Sequence, residues 1–192
     1  MILRAGLVFA GVLAGLAPAA AADRFALAGI VDEVRLGIHA YDVHYAALPF
    51  MIDEWDLQAV ESFSADVLFT TPDADLLRWL GSPRPEVGAT INLAGMESLV
   101  HAGLTWQLPV FDTPFYLEGS FGAALHDGNL FGAPDPQKNF GCRVNFYERF
   151  GVGVNASENV TATLTYEHIS NNGWCAENDG LSNFGLRVGW KF

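Results

Sequence analysis

Apolar residues recur at every second position through most of this chain. Within 33–41, Val34, Leu36, Ile38 and Ala40 share one parity, while Arg35, Gly37 and His39 share the other. That is the period of a strand whose two faces meet different surroundings. Further alternating runs occupy about 57–69, 86–94, 99–107, 115–124, 143–154, 159–168 and 181–192, separated by segments rich in Gly, Pro, Asn and Asp. The pattern predicts about eight strands. The pairs Pro83/Pro85, Pro109/Pro114 and Pro134/Pro136 fall between the runs, where a missing amide donor does not harm a ladder. Leu76, Leu77 and Leu80 lie at helical spacing, which predicts one or two helical turns within 73–80, inside a connection.

Composition decides what kind of sheet this is. Arg4, the apolar run from Ala5 to Leu16 and the small residues Ala20, Ala21 and Ala22 read as a secretory signal peptide over residues 1–22. The remaining 170 residues suffice for one domain, and no shift in composition marks a second. The chain is 51% hydrophobic, with 14 Phe, 5 Trp and 5 Tyr, yet after the signal it has no unbroken run of roughly 18 to 20 apolar residues for a spanning helix. In lipid every backbone polar group needs an internal partner, so alternation without helical spans points to a closed barrel. The reading is all-β: an eight-stranded antiparallel transmembrane β-barrel over 23–192, preceded by a cleaved signal peptide. Its rivals are a soluble β-sandwich and a lipocalin-like barrel.

The formal charge of −12 becomes −13 once Arg4 is removed, which argues against a nucleic-acid partner. It limits contact with anionic lipid headgroups to places where local Arg and Lys or bridging divalent cations intervene. Arg35, Arg143, Arg149 and Arg187 fall on expected lumenal faces beside Glu33, Glu86 and Glu118. A salt-bridged plug is the expectation there, because side chains fill an eight-stranded barrel.

An even-stranded barrel begins and ends on the periplasmic side, so the connections after strands five and seven are extracellular. Cys142 and Cys175 then lie at the same end of neighbouring strands, and a disulfide is expected in an oxidising compartment. The alternative is two unpaired thiols. A metal site is the weaker reading, because no Cys-x-x-Cys or Cys/His cluster accompanies them and His39, His44, His101 and His126 are dispersed.

The chemistry-bearing residues close the seventh strand. Val160, Ala162, Leu164 and Tyr166 share a parity that continues to His168 and Ser170, so both side chains are expected on the lipid face. Residues two apart on a strand have Cα atoms roughly 6.5 Å apart, close enough for an imidazole to meet a hydroxyl. Hairpin pairing of the last two strands puts Ser182 near His168. The competing reading is polar residues at the headgroup level, tolerated there at about 0 to 1 kcal/mol.

His168-Ile169-Ser170-Asn171, with Gly173 and then Asn178-Asp179-Gly180 before an aromatic-ended last strand, resembles the outer-membrane lipid A 3-O-deacylase (acyloxyacyl hydrolase) family. The likeness is most specific over 160–192; Ser82-Pro83-Arg84-Pro85 and Gly103-Leu104-Thr105-Trp106 are weaker echoes. It implies a serine esterase of the bacterial outer membrane that removes an ester-linked acyl chain from lipid A of lipopolysaccharide near the extracellular end, with no cofactor and no metal. Carried over, Ser170 is the nucleophile, His168 the general base, and Asn171 and the Gly173 amide the oxyanion donors. The family's catalytic glutamate falls at Ser182, which brings no charge. Asp179 is the favoured substitute acid, with Glu177 and Ser182 as alternatives, and a solvated loop is the competing reading for both loop acids. The missing glutamate also keeps open a non-catalytic barrel that binds lipopolysaccharide or has a structural role. Exposed barrel faces permit a homodimer that no residue demands.

Overall fold

A computed structural model of the chain describes residues 29–44, 49–57 and 60–192. The expected signal peptide, 1–22, and positions 58–59 of the expected second strand lie outside the described residues. Eight strands form: β1 (Val31–Ala40), β2 (Val60–Phe69), β3 (Arg84–Asn92), β4 (Leu99–Pro109), β5 (Phe115–His126), β6 (Val144–Asn155), β7 (Val160–Ser170) and β8 (Leu181–Lys191). Each pairs antiparallel with its neighbours in sequence, and β1 pairs with β8 from Glu33 opposite Lys191 to Ala40 opposite Phe184, closing the barrel. A short helix, α1 (Asp75–Trp79), lies in the β2–β3 connection where leucine spacing predicts one.

Three boundaries differ from the pattern in ways that matter. β7 runs on to Ser170, so both His168 and Ser170 obey strand parity. Pro85 lies inside β3 opposite Leu104, and Pro109 closes β4 opposite Tyr116. β3 pairs with β2 only as far as Glu86, so Pro85 deprives that ladder of no hydrogen bond.

The distribution of polarity is inverted relative to a soluble protein. Leu36, Phe63, Val100, Phe121, Leu164 and Trp190 face outward and are 40% to 52% exposed, whereas Arg35, Arg149 and Arg187 are fully buried in the lumen. Arg35 pairs with Glu33 at 2.9 Å and Glu118 at 2.7 Å, Arg149 with Glu86 at 2.5 Å, and Arg187 with Asp66 at 2.9 Å and Glu167 at 2.6 Å. An apolar exterior around a paired ionic interior suits hydrocarbon and rules out the soluble rivals. Arg143 departs from expectation: it precedes β6, is exposed, and donates to the carbonyls of His126 and Gly128. Parity assigned it to the lumen, but a residue outside the ladder need not follow the pleat.

The connections after β1, β3, β5 and β7 gather at one end. There Tyr41, Leu99, Ala124, Phe140, Tyr147, Ile169 and Leu181 form an apolar cluster that closes the lumen. Phe140, from the β5–β6 connection, is fully buried and packs on His126 with ring centroids 4.0 Å apart. Cys142 and Cys175 are joined as a disulfide with Cα atoms 5.9 Å apart, fastening the β5–β6 connection to β7–β8.

Candidate active site

On β7 the odd positions Thr161, Thr163, Thr165, Glu167 and Ile169 are buried toward the lumen, where Glu167 meets Arg187. The even positions from Val160 to Ser170 take the outward face. His168 and Ser170 therefore leave the wall on the same side, at its capped end. His168 stands opposite Ser182 on β8 and opposite Glu148 on β6, while Ser170 stands opposite Phe146.

Ser182 is fully buried, and its Oγ lies 2.7 Å from His168 Nδ1. With Nδ1 protonated and donating, Nε2 carries the lone pair and is the basic nitrogen. Ser170 is partly exposed and, among the described residues, shares no hydrogen bond with His168. An imidazole and a hydroxyl leaving one face two positions apart are the residue types that a base and a nucleophile require.

His168 itself is only 3% exposed, so it is not open to lipid as strand parity alone suggests. The described parts of the β1–β2 connection, 41–44 and 49–57, lie over the outer wall beside it. Val43 N–H donates to the Ser182 carbonyl at 2.7 Å, and Trp55 stacks on Tyr166 and packs on Phe184, with centroids 5.5 and 4.7 Å away. Gly180 closes the other side with φ +65°; a Cβ there would lie 3.1 Å from His168 Cε1. Lys138 pairs with Asp42 at 2.5 Å above this region. Burial pushes the Asp42 carboxyl above the usual carboxylate range, with Lys138 opposing the shift.

Beyond Ser170 the chain reverses in a type I′ turn. Asn172 has φ 54°, Gly173 has φ +76°, and Trp174 N–H closes onto the Asn171 carbonyl at 3.1 Å. The Asn171 side chain is buried, with Nδ2 donating to the carbonyls of Phe140 at 2.7 Å and Glu177 at 2.6 Å. Both amide protons are thus committed to holding two connections together. The Gly173 amide has no protein partner among the described residues, and nothing lies within 4 Å of where a Cβ would stand.

The loop acids lie apart from the ring. Asp179 accepts from Asn139 N–H at 2.6 Å and returns its own N–H to the Asn139 carbonyl at 3.1 Å. Glu177 is exposed and contributes its carbonyl to Asn171. His168 meets Ser182 instead. Alternation did not identify Glu148, His44 or Glu54 as neighbours of this site. Strand register alone gives Glu148, whereas the other two belong to a segment without periodicity.

Beside Ser170, Ala123, Val144, Phe146 and Trp174 line an apolar groove of about 130 Å³ on the outer wall, where Trp174 packs edge-on to Phe146 at 4.9 Å. Among the described residues no group of three or more His, Cys, Asp or Glu is arranged to hold a metal ion. The site pairs a directed imidazole, an accessible hydroxyl, an unpartnered amide and an apolar groove, a set suited to acyl transfer from a lipid.

The crystal structure of the outer membrane enzyme PagL superposes with a TM-score of 0.55 at 14% identity, covering 83% of this chain and 99% of that one. The N-terminal β-barrel domain of Pseudomonas aeruginosa OprF gives 0.51 at 13% identity, covering 84% and 98%. At such identities these likenesses establish the barrel fold and nothing finer. Among curated proteins no sequence match is found. The sequence profile of the lipid A 3-O-deacylases matches residues 58–191, most of the chain and all of β2 to β8. By that match this chain belongs to the lipid A 3-O-deacylase (PagL) family of outer-membrane β-barrel hydrolases.

Proposed function

We propose that the protein is a serine esterase that removes the 3-O-linked acyl chain from lipid A in the outer leaflet, working from the extracellular end of its barrel after export and loss of residues 1–22. The observation that carries this reading is the shared outward placement of His168 and Ser170 at the capped end of β7, with Ser182 Oγ held 2.7 Å from Nδ1 of the ring. An outer-membrane barrel keeps its longer connections outside, which supports a site near the headgroups, level with the esters of lipid A.

In this reading the acyl chain lies in the groove beside Phe146 and Trp174. Ser170 Oγ attacks the ester carbonyl as its proton passes to His168 Nε2, and a tetrahedral oxyanion forms. The Gly173 amide donates to it. Asn171 acts as a clasp that fixes the turn and not as a donor, because its amide protons are committed to Phe140 and Glu177. Collapse breaks the C–O bond to the sugar, His168 returns its proton to the departing alkoxide, and water then releases the fatty acid from Ser170. The orienting partner of the ring is Ser182, not Asp179 or Glu177.

Mass spectrometry of lipid A from cells expressing wild type and Ser170→Ala tests this. Wild type is expected to produce lipid A lacking one acyl chain, and the variant to leave it intact. An unchanged acyl pattern in both would favour the non-catalytic barrel, and equal deacylation in both would remove Ser170 from the chemistry.

A further inference from the structure

The hydrogen-bond partner of the His168 ring is the Ser182 hydroxyl and not a carboxylate, yet a carboxylate is present further along a single line of hydrogen-bonding groups. From His168 Nδ1 the line passes to Ser182 Oγ at 2.7 Å, and Tyr166, two positions before His168 on the same outward face of β7, is the diagonal neighbour of Ser182 across the β7–β8 pair. Tyr166 Oη lies 3.4 Å from His44 Nδ1, and His44 Nε2 lies 3.1 Å from Glu54 Oε2. His44 has a fully buried side chain, and that of Glu54 is about one-third exposed. We infer that Glu54 is the displaced acid of the esterase, a positioning residue that fixes the orientation of His168 through His44, Tyr166 and Ser182.

Donor and acceptor capacity admits a consistent direction along this line. Glu54, as a carboxylate, accepts from His44 Nε2–H, which leaves His44 Nδ1 as an acceptor for the Tyr166 hydroxyl. The Tyr166 oxygen then accepts from Ser182, and Ser182 Oγ is left to accept from His168 Nδ1–H. Nε2 of His168 is thereby the basic nitrogen facing Ser170. A serine alone supplies no such preference, since a hydroxyl donates or accepts equally well. The carboxylate at the far end sets the sense of every bond before it.

The line depends on the β1–β2 connection lying over the outer wall, where Trp55 stacks on Tyr166 and Val43 is hydrogen-bonded to Ser182. Glu54 and Trp55 are adjacent, so the ring that anchors the segment also sets the carboxylate.

The inference rests on the serine esterase reading, and its test separates the two. Deacylation kinetics are measured on refolded full-length protein in detergent for Glu54→Gln and His44→Phe, each alone and combined with Ser182→Glu. In the wild-type background each substitution is expected to lower kcat about tenfold with KM unchanged, the size of one lost directing hydrogen bond. With Ser182→Glu the ring has its own carboxylate, and the same substitutions are expected to change kcat less than about twofold. Equal losses in both backgrounds, or a rise in KM, would mark a packing role and overturn the inference. So would no loss in the wild-type background.

The nitrogen-15 shifts of the His168 ring give a second reading that does not depend on turnover. Wild type is expected to hold the Nδ1-protonated tautomer and Glu54→Gln to show a mixture; identical tautomers would overturn the inference. If Ser170→Ala retains activity, the esterase reading fails while this measurement still reports on the line.

Discussion

Replacing Arg149 with Met tests whether the paired lumen holds the wall that carries the site. Arg149 is fully buried and lies 2.5 Å from Glu86, 3.4 Å from Glu118 and 3.5 Å from Asp66. At an effective dielectric of 20, the Glu86 contact alone has a gross attraction of about 7 kcal/mol, most of it offset by desolvation. Removal leaves the three carboxylates unequally placed. Glu118 retains Arg35 at 2.7 Å and Asp66 retains Arg187 at 2.9 Å, whereas Glu86 keeps only His101, 3.9 Å away, among the described residues. Breaking a buried pair on one side costs about 3 to 5 kcal/mol, and here that cost is concentrated on Glu86. Arg149→Met is therefore expected to lose about that much stability, and Arg149→Met with Glu86→Gln to recover at least half. Guanidinium unfolding in detergent, followed by tryptophan fluorescence, measures both. A single variant within about 1 kcal/mol of wild type, or a double variant no better than the single, would mean that the Glu86 pairing does not hold the wall.

The remaining predictions concern the capped end. Asn171→Ala is expected to lower stability by about 1 to 3 kcal/mol, because it orphans the carbonyls of Phe140 and Glu177; lost turnover at unchanged stability, in the same unfolding and activity assays, would make it an oxyanion donor instead. Reducing the Cys142–Cys175 bond, which spans 33 positions, is expected to destabilise by about 3 to 4 kcal/mol on the chain-entropy account, read as a lower unfolding midpoint under dithiothreitol. Gly180→Ala forces a side chain into a left-handed backbone and against the His168 ring; its kcat is expected to fall more than tenfold while KM, from the same kinetic traces, holds.

How far the sequence reveals this molecule depends on whether a residue belongs to a ladder. Period two gives eight strands and their faces because one face must meet hydrocarbon and the other an ionic lumen, so a slip by one would exchange them. For the same reason hairpin register alone puts Ser182 opposite His168. Arg143, one residue before β6, escapes the rule and clamps a connection. Asp179 and Asn171 carry residue types suited to catalysis, yet their partners, Asn139 and Phe140, come from a connection about 30 to 40 positions away. Local pattern holds no record of such distant pairing. The β1–β2 segment is the extreme case: His44, Glu54 and Trp55 have no shared period, and only the folded chain lays them over Tyr166.

Whether His168 activates Ser170 on the outer wall is decided by covalent labelling. Purified wild type, His168→Ala and Ser170→Ala are treated with a long-chain alkyl fluorophosphonate, and the modified residue is mapped by peptide mass spectrometry. Modification is expected at Ser170 in wild type, at least about a hundredfold slower in His168→Ala and absent in Ser170→Ala. Labelling at another residue, or at Ser170 with equal rate when His168 is gone, would contradict that activation.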